Sequence, residues 1–224
     1  MKEDRKSADY RDYVIKDGAF IGAFEEMYKH VDDPWHIGEA TALQYDLALQ
    51  LLDRYHICSP YGRMLDIGCG KGSFTARLKR ARPHASILGV DISPTAIRSA
   101  REKHAVPGLE FDTMDLQKEY TLIDEQYDII IMSQLVWYIL PNLRQIISHL
   151  LTSAIREEGY LLINQSFLKP EEQTYGKEIV SSVEDLIELV GFHPVELIET
   201  NRFTNHNAIF LFKNGAHPAG SLEI

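Results

Sequence analysis

Short apolar runs alternate with amphipathic segments over most of the chain, which predicts βαβ units in a parallel sheet. Five apolar runs are predicted as strands: Arg63 to Ile67, Ser86 to Val90, Leu109 to Asp112, Tyr127 to Met132 and Tyr160 to Asn164. The fourth run is nearly all apolar, as is typical of a central strand that is buried on both faces. Helices are predicted between the strands, over Ser73 to Arg82, over Thr95 to His104 and after Pro141.

This rhythm changes in the last quarter of the chain. A helix is predicted from Val183 to Val190, ending at Gly191, and only a loop separates the next two apolar runs, Val195 to Thr200 and Ala208 to Phe212. Strands that follow each other so closely in sequence pair antiparallel. An open parallel sheet is therefore predicted to end in an antiparallel strand.

The chain before the first strand is predicted to be helical. Apolar residues three or four positions apart predict an amphipathic helix over Glu39 to Arg54, and a second helix is predicted over Phe20 to His30. Between them, Pro34 breaks any helix and leaves Trp35 and His36 on a loop. We divide the chain into a helical lid segment (1–56), a main domain (57–214) and a C-terminal tail (215–224).

Composition narrows the classes of function. The 224 residues carry a net charge of −10, which opposes binding to nucleic acid. No apolar run is long enough to span a bilayer, and the charged N-terminus leads into no apolar leader, so we expect a cytoplasmic protein without a membrane partner. Cys58 and Cys69 have no metal-ligand spacing, and no metal is expected.

The most informative motif is Asp66-x-Gly68-x-Gly70-x-Gly72, directly after the first predicted strand. Glycines suit a sharp turn from a strand to a helix and let a ligand lie against the backbone. A dinucleotide fingerprint needs a further glycine where Ser73 stands, so the dehydrogenase pattern is not met.

This motif resembles the first motif of the Rossmann-like methyltransferases that use S-adenosylmethionine (SAM) and act on small molecules. The resemblance implies an α/β, three-layer sandwich with a seven-stranded, mostly parallel sheet, an antiparallel last strand and an N-terminal helical lid. It also implies that the cofactor is SAM and the product S-adenosylhomocysteine. Gly68 would offer its carbonyl to the cofactor's ammonium group, Gly70 would admit the methionine chain, and Asp66 would be a structural acceptor nearby. Gly72 is assigned to the same cofactor site.

Two acidic positions extend the predicted cofactor site. Asp91 ends the second strand, where a carboxylate can accept hydrogen bonds from both ribose hydroxyls, although it could instead cap the next helix. Ile92, beside it, is assigned to the same site. By the resemblance, Asp115 accepts from the adenine amino group and Leu116 offers its backbone N–H, with Asp112 as a competitor or a plain surface loop as the alternative.

The segment after the fourth strand is predicted to face both ligands. Gln134 is assigned to the cofactor and Trp137 and Tyr138 to the methyl acceptor, although both aromatic residues could be ordinary core residues. The segment lacks the Asn/Asp-Pro-Pro-aromatic and Pro-Cys motifs of nucleic-acid methyltransferases. It resembles instead the enzymes that methylate small molecules.

The identity of the acceptor is open to several predictions. Trp35, His36 and His206 are assigned to the acceptor site, and the two histidines are candidate bases, although each could be a plain surface residue. An amine is preferred because it carries its own lone pair, and a hydroxyl, which would need a base, comes next. The Asp-Pro-Trp loop resembles that of nodulation-factor N-methyltransferases, which makes an amino sugar one option. The alternatives are a non-catalytic SAM-binding module and, more remotely, a nucleotide-dependent oxidoreductase.

Overall fold

Nine strands occur in the part of the chain that the computed structural model describes, which comprises residues 9–16, 18–35, 39–169, 172–173, 175–201 and 206–215. They are β1 (Ile15–Lys16), β2 (Ala19–Phe20), β3 (Arg63–Ile67), β4 (Ser86–Asp91), β5 (Leu109–Thr113), β6 (Tyr127–Ser133), β7 (Ile155–Phe167), β8 (Glu196–Thr200) and β9 (His206–Lys213). The α-helices of the same residues are α1 (Arg11–Val14), α2 (Phe24–His30), α3 (Glu39–Arg54), α4 (Ser73–Ala81), α5 (Pro94–Lys103), α6 (Leu116–Glu119), α7 (Leu143–His149) and α8 (Val183–Val190).

Strands β3 to β9 form a single mixed sheet with the order β5-β4-β3-β6-β7-β9-β8. Strands β3 to β7 pair in parallel, whereas β9 runs antiparallel to both β7 and β8. The predicted seven-stranded, mostly parallel sheet with an antiparallel last strand is therefore confirmed. Since β3 lies between β4 and β6, its carboxyl end is at the point where the strand order reverses, where ligands of open α/β sheets bind.

Alternate side chains of the strands point to opposite faces of the sheet and enter two apolar clusters. Ile130 and Met132 of β6 belong to one cluster, together with side chains of α7 and α8. Ile129 and Ile131 belong to the other, which contains side chains of α3, α4 and α5. This burial on both faces explains why β6 reads as a continuous apolar run.

Local signals set several helix boundaries as predicted. Ser93 caps α5 by accepting from the backbone N–H of Ala96, with Pro94 at the first helical position. Helix α8 begins at a capping box of Ser182 and Asp185 and ends at Gly191, whose φ is +79°.

Three predicted boundaries were wrong. Helix α2 begins at Phe24, because Ala19–Phe20 pairs with Ile15–Lys16 in a small hairpin. Pro141 lies in a 3₁₀ turn, and α7 begins two residues later, at Leu143. Strand β7 is much longer than predicted. At its start, a bulge of residues 156–159 precedes the paired run, and Ile155 before the bulge pairs with Tyr127 of β6, whereas at its end pairing with β9 extends the strand through Gln165 and Ser166 to Phe167.

Among the residues that the structure describes, no helix is long and apolar enough to cross a membrane. The same residues contain no group of three or more His, Cys, Asp or Glu side chains that could hold a metal ion.

Candidate active site

The glycine motif forms the turn between β3 and α4. Its three glycines have φ angles of +76°, +55° and +79°, in the region that residues with a Cβ rarely adopt. The backbone N–H groups of Gly68 and Cys69 donate to the carbonyl of Val90 at 2.8 and 3.0 Å, which fixes the turn against the end of β4. A Cβ on Gly70 would lie 2.7 Å from the hydroxyl of Tyr28, so the lid segment approaches the turn too closely for any other residue there.

Asp91, the predicted ribose acceptor, lies beside this turn at the end of β4. One carboxylate oxygen accepts from the backbone N–H of Gly70 and the other from that of Ser93, both at 2.9 Å. Burial raises the pKa of Asp91 to about 6, although both of these hydrogen bonds act to lower it. The carboxylate thus bridges the glycine turn and the start of α5. Its role toward ribose remains a prediction.

Asp66 lies deeper, on β3, and is 2% exposed. The hydroxyl of Thr75 on α4 donates to its carboxylate at 2.6 Å. Burial raises the pKa of Asp66 to about 7, against the lowering effect of the Thr75 hydroxyl. The carboxylate thus joins β3 to α4, and the place predicted for Asp66 near the cofactor's ammonium group stays a prediction.

The N-terminal segment docks on the start of α5 through Glu25 of α2. The Glu25 carboxylate accepts from the hydroxyls of Ser93 and Thr95 at 2.5 and 2.7 Å and from the backbone N–H of Thr95 at 3.1 Å. Burial acts to raise the pKa of Glu25, but the hydrogen bonds from Ser93 and Thr95 outweigh it and lower that pKa to about 2. The lid is therefore fastened to the helix that follows Asp91.

A second set of contacts joins the lid to the glycine turn. Lys71 Nζ lies 2.9 Å from the carboxylate of Asp32 and 6.0 Å from the centre of the Tyr28 ring. Trp35 Nε1 donates to the Tyr28 hydroxyl at 2.7 Å. Burial, followed by the negative charge of Asp91, raises the pKa of Tyr28 well above its usual value, so this hydroxyl stays neutral.

Three further residues of the predicted cofactor site lie just after β4 and β5: Ile92, and the two predicted to contact adenine, Asp115 and Leu116. Ile92 is 42% exposed, an apolar side chain available to pack against a ring. Asp115 precedes α6 and forms an ion pair with Lys118 at 2.6 Å, and Leu116 begins this short helix, where the first amide groups have no partner within the helix. The competitor Asp112 is paired with Arg101 on the exterior of the sheet.

The structure divides the residues predicted to contact the acceptor into two groups. Trp35 and Tyr138 are brought together, with ring centroids 6.0 Å apart, and Phe24 packs edge-on against Tyr138 at 5.1 Å. This aromatic group connects the lid with the segment after β6. Burial raises the pKa of Tyr138, so its hydroxyl also stays neutral.

Trp137 and His206 belong to the other group, at the end of β7. Trp137 Nε1 donates to the backbone carbonyl of Ser166 at 3.1 Å. The ring centroids of Trp137 and His206 lie 6.5 and 5.8 Å from that of Phe167. His206 Nε2 lies 2.7 Å from a carboxylate oxygen of Glu199, without the alignment of a hydrogen bond. A cavity of about 300 Å³ lies beside His206 and Glu199. His36 lies outside the described residues.

Gln134 occupies the predicted place after β6, with a φ of +56°. Its side chain donates to Gln44 at 3.1 Å and accepts from the backbone N–H of Ser166 at 3.0 Å. Both ends of this amide are therefore occupied by protein groups. The contact with the cofactor predicted for Gln134 is untested.

Several residues of the site were missed from the sequence. Glu25 reaches partners about 70 positions away, and no local pattern in the sequence indicates such a contact. Tyr28 was included only as part of an amphipathic helix. Asn164 carried a visible signal, since an amide directly after the buried apolar run of residues 161–163 is unusual.

Comparison with known proteins identifies the fold and the family. The profile of a methyltransferase-domain family matches residues 59–205. N-methyltransferase NodS from Bradyrhizobium japonicum, solved with S-adenosylhomocysteine, shares the fold with a TM-score of 0.64 and 21% identity, over 82% of this chain and 93% of that one.

Curated relatives match over shorter stretches. Trans-aconitate 2-methyltransferase of Methylobacterium nodulans is 39% identical over 69 residues, 31% of this chain and 26% of that protein. Malonyl-acyl-carrier-protein O-methyltransferase of Bacillus anthracis is 28% identical over 135 residues, 56% of this chain and 49% of that protein. The chain thus spans less than half the length of either relative. Because the family profile covers most of the chain, from before β3 through β8, the chain belongs to the methyltransferase-domain family.

Proposed function

We propose that this protein transfers the methyl group of SAM to a small-molecule acceptor, and that the accepting atom is an amine nitrogen. The observation that carries this proposal is the docking of the lid over the glycine turn. Tyr28 and Glu25 bring the lid against Gly70 and the start of α5, on either side of Asp91. A ligand held by Asp91 would be enclosed there and screened from bulk water, which suits a small acceptor better than a polymer.

The protein's contribution to methyl transfer would be mainly positional. SAM supplies an activated methyl group on a sulfonium. The nitrogen lone pair would form the new C–N bond as the C–S bond breaks, leaving its electron pair on sulfur, and the nitrogen would then release a proton to solvent. Because no covalent intermediate with the enzyme is needed, holding the nitrogen in line with the S–CH₃ bond would supply most of the acceleration.

Two features favour an amine over a hydroxyl. His206, the described candidate base, is on β9, and both β6 and β7 separate it from the glycine turn on β3. A hydroxyl would need such a base close by, whereas a neutral amine would not. The rings of Trp35 and Tyr138 also offer π-faces that attract the positive charge that develops on the nitrogen as the C–N bond forms.

The remaining assignments of the cofactor site stand as part of this proposal. Asp91 would accept from the ribose hydroxyls, and Ile92 would pack against adenine, whose amino group would donate to Asp115. Gly68 would receive the methionine end. The family match argues against the oxidoreductase alternative, and turnover distinguishes a catalyst from a module that only binds SAM.

The experiment follows a labelled methyl group from SAM into matched acceptor pairs, such as glucosamine with glucose and benzylamine with benzyl alcohol. We expect calorimetry to detect S-adenosylhomocysteine binding and the label to appear in amines. Label found only in the alcohols would overturn the amine assignment. Absence of S-adenosylhomocysteine binding would overturn the whole proposal.

A further inference from the structure

A cluster of buried amide side chains lies at the carboxyl edge of the sheet. Gln44 projects from α3, Asn164 from β7 and Asn207 from β9, and they are 7%, 1% and 5% exposed. On the side of each asparagine that faces the middle of its strand, the next residue is an apolar core residue, Ile163 in β7 and Ala208 in β9. Three amides buried together in such a place require a reason, because burying polar groups is unfavourable unless their hydrogen bonds are made.

Hydrogen bonds fix the orientation of the Asn164 amide. Its Nδ2 donates to Gln44 Oε1 at 3.2 Å and to the Ser133 hydroxyl at 3.0 Å. Gln44 Oε1 also accepts from Gln134, and Gln44 Nε2 donates to Asn207 at 2.5 Å. Rotating the Asn164 amide by half a turn would bring two carbonyl oxygens together. The Oδ1 atom of Asn164 must therefore face away from Gln44.

That Oδ1 atom is buried and has no hydrogen-bond partner. Leaving a buried acceptor unsatisfied destabilises the fold, whereas a leucine of similar volume would not incur this penalty. Among the described residues, Gln173 has the second buried amide oxygen without a partner. Its amide nitrogen, however, donates to the backbone carbonyls of Tyr175 and Val180, so this side chain has a structural role in holding a loop. The amide of Asn164, by contrast, lies at the ligand-binding edge of the sheet.

The register of the sheet places Asn164 level with the glycine turn. Ile67, immediately before Gly68, pairs with Met132, and the next residue of β6, Ser133, pairs with Asn164. Two inter-strand spacings, about 10 Å, separate the backbones of Gly68 and Asn164. A side chain at this position can reach a ligand that lies across the carboxyl end of β6.

We propose that Asn164 Oδ1 accepts a hydrogen bond from a nitrogen-bound hydrogen of a ligand in this cleft, with Gln44 and Ser133 holding the amide in place. The inference rests on the proposed function, which supplies two sources of such a hydrogen: the ammonium group of the cofactor's methionine and the amine to be methylated. Asn164 would be a binding residue that selects for N–H donors. Gln44 and Ser133 would be positioning residues.

The test compares Asn164→Leu and Asn164→Asp with Gln173→Leu as the matched control. Calorimetry measures binding of S-adenosylhomocysteine, which has the ammonium group, and of 5′-methylthioadenosine, which lacks it. If Asn164 binds the cofactor, Asn164→Leu lowers the affinity for S-adenosylhomocysteine by about tenfold or more and leaves the affinity for 5′-methylthioadenosine unchanged. If Asn164 instead binds the acceptor, the affinities for both nucleosides stay unchanged, and the KM for an amine that the enzyme methylates rises by a similar factor.

Asn164→Asp keeps an acceptor oxygen in place and adds a readout that a purely structural role would not affect. A buried carboxyl ionises more readily beside an ammonium group, so affinity for the amine-bearing ligand should increase with pH in this variant. This prediction also covers the case in which Asn164→Leu does not fold.

Two results would overturn the inference. One is an equal loss of affinity for both nucleosides in Asn164→Leu, with no pH dependence in Asn164→Asp. The other is no change in either affinity or in the KM for the amine. If the wild-type protein binds S-adenosylhomocysteine but methylates no amine, the proposed acceptor is wrong. In that case the comparison of the two nucleosides still tests the role of Asn164. Unchanged affinities of Asn164→Leu for both nucleosides would then overturn the inference.

Discussion

Asp91 has a structural role beside the glycine turn, and the proposed function gives it a second role as the ribose acceptor. Its two carboxylate oxygens accept from the glycine turn and from the start of α5. A carboxylate has about four lone-pair sites, so these two hydrogen bonds leave capacity for two ribose hydroxyls. The sequence identified this residue from its place after the second strand. It contained no sign that Tyr28 and Glu25 lie close by.

The titration of Asp91 should govern cofactor affinity between pH 5 and 7.5. Its pKa of about 6 leaves about one tenth of the carboxyl ionised at pH 5, and the ribose hydroxyls donate best to the ionised form. Affinity for S-adenosylhomocysteine, measured by calorimetry, should therefore increase by about tenfold as pH rises over this range.

Two variants check that assignment. Asp91→Asn should bind more weakly and with no change between pH 5 and 7.5. Asp112→Asn, on exposed β5, should keep the wild-type profile. An unchanged pH dependence in Asp91→Asn would assign the titration to another group.

At the scale of elements, the lid is the feature that the sequence predicted least completely. Its helix α3 was predicted with correct bounds, because apolar side chains three or four positions apart reveal a buried face. The docking of α2 depends on Glu25 meeting the N-terminus of α5, a contact between segments distant in the chain. Periodicity reports which face of a helix is buried, but it does not report which partner buries it.

Glu25→Gln should loosen the lid. The carboxylate interacts favourably with the helix N-terminus, a contribution of roughly 0.3–1 kcal/mol, so S-adenosylhomocysteine should dissociate about two- to fivefold faster. Stopped-flow fluorescence of Trp35, which contacts Tyr28, can follow this release. Because the pKa of Glu25 is lowered to about 2, the stabilisation is present above pH 4.5 and is lost only as pH falls toward 2.

Glu26→Gln is the matched control. Glu26 belongs to the same helix and forms an ion pair with Lys29 at 2.8 Å on its exposed side. Equal dissociation rates in both variants would mean that docking through Glu25 does not hold the lid.

At the scale of the whole molecule, the parallel sheet was predictable and the arrangement of its ligand edge was not. Buried strands are recognised by their apolar runs, and the glycine motif marks the place where β3 turns into α4. Strand β7 was underestimated because residues such as Arg156 and Glu158 favour loops when judged locally. These residues form a bulge, beyond which Ile155 pairs with Tyr127 of β6, and pairing with β9 extends the other end of the strand to Phe167. Polar groups that meet at the edge, such as Gln44 and Asn164, come from elements 120 residues apart.

Asp66 should make the stability of the whole protein depend on pH. Its pKa rises from an ordinary 3.8 to about 7 on folding, so the folded state binds the proton more tightly than the unfolded state does. Stability is therefore highest below pH 4 as far as this group is concerned, and it falls as pH rises from about 4 to 7. Asp66→Asn removes the titration while keeping a side chain of the same shape beside Thr75. The Tm of the cofactor-free variant, relative to wild type, should increase from pH 5 to about pH 7 and then level off. Asp112→Asn should show no such trend, and a constant Tm difference for Asp66→Asn would show that burial of this carboxyl does not limit stability at neutral pH.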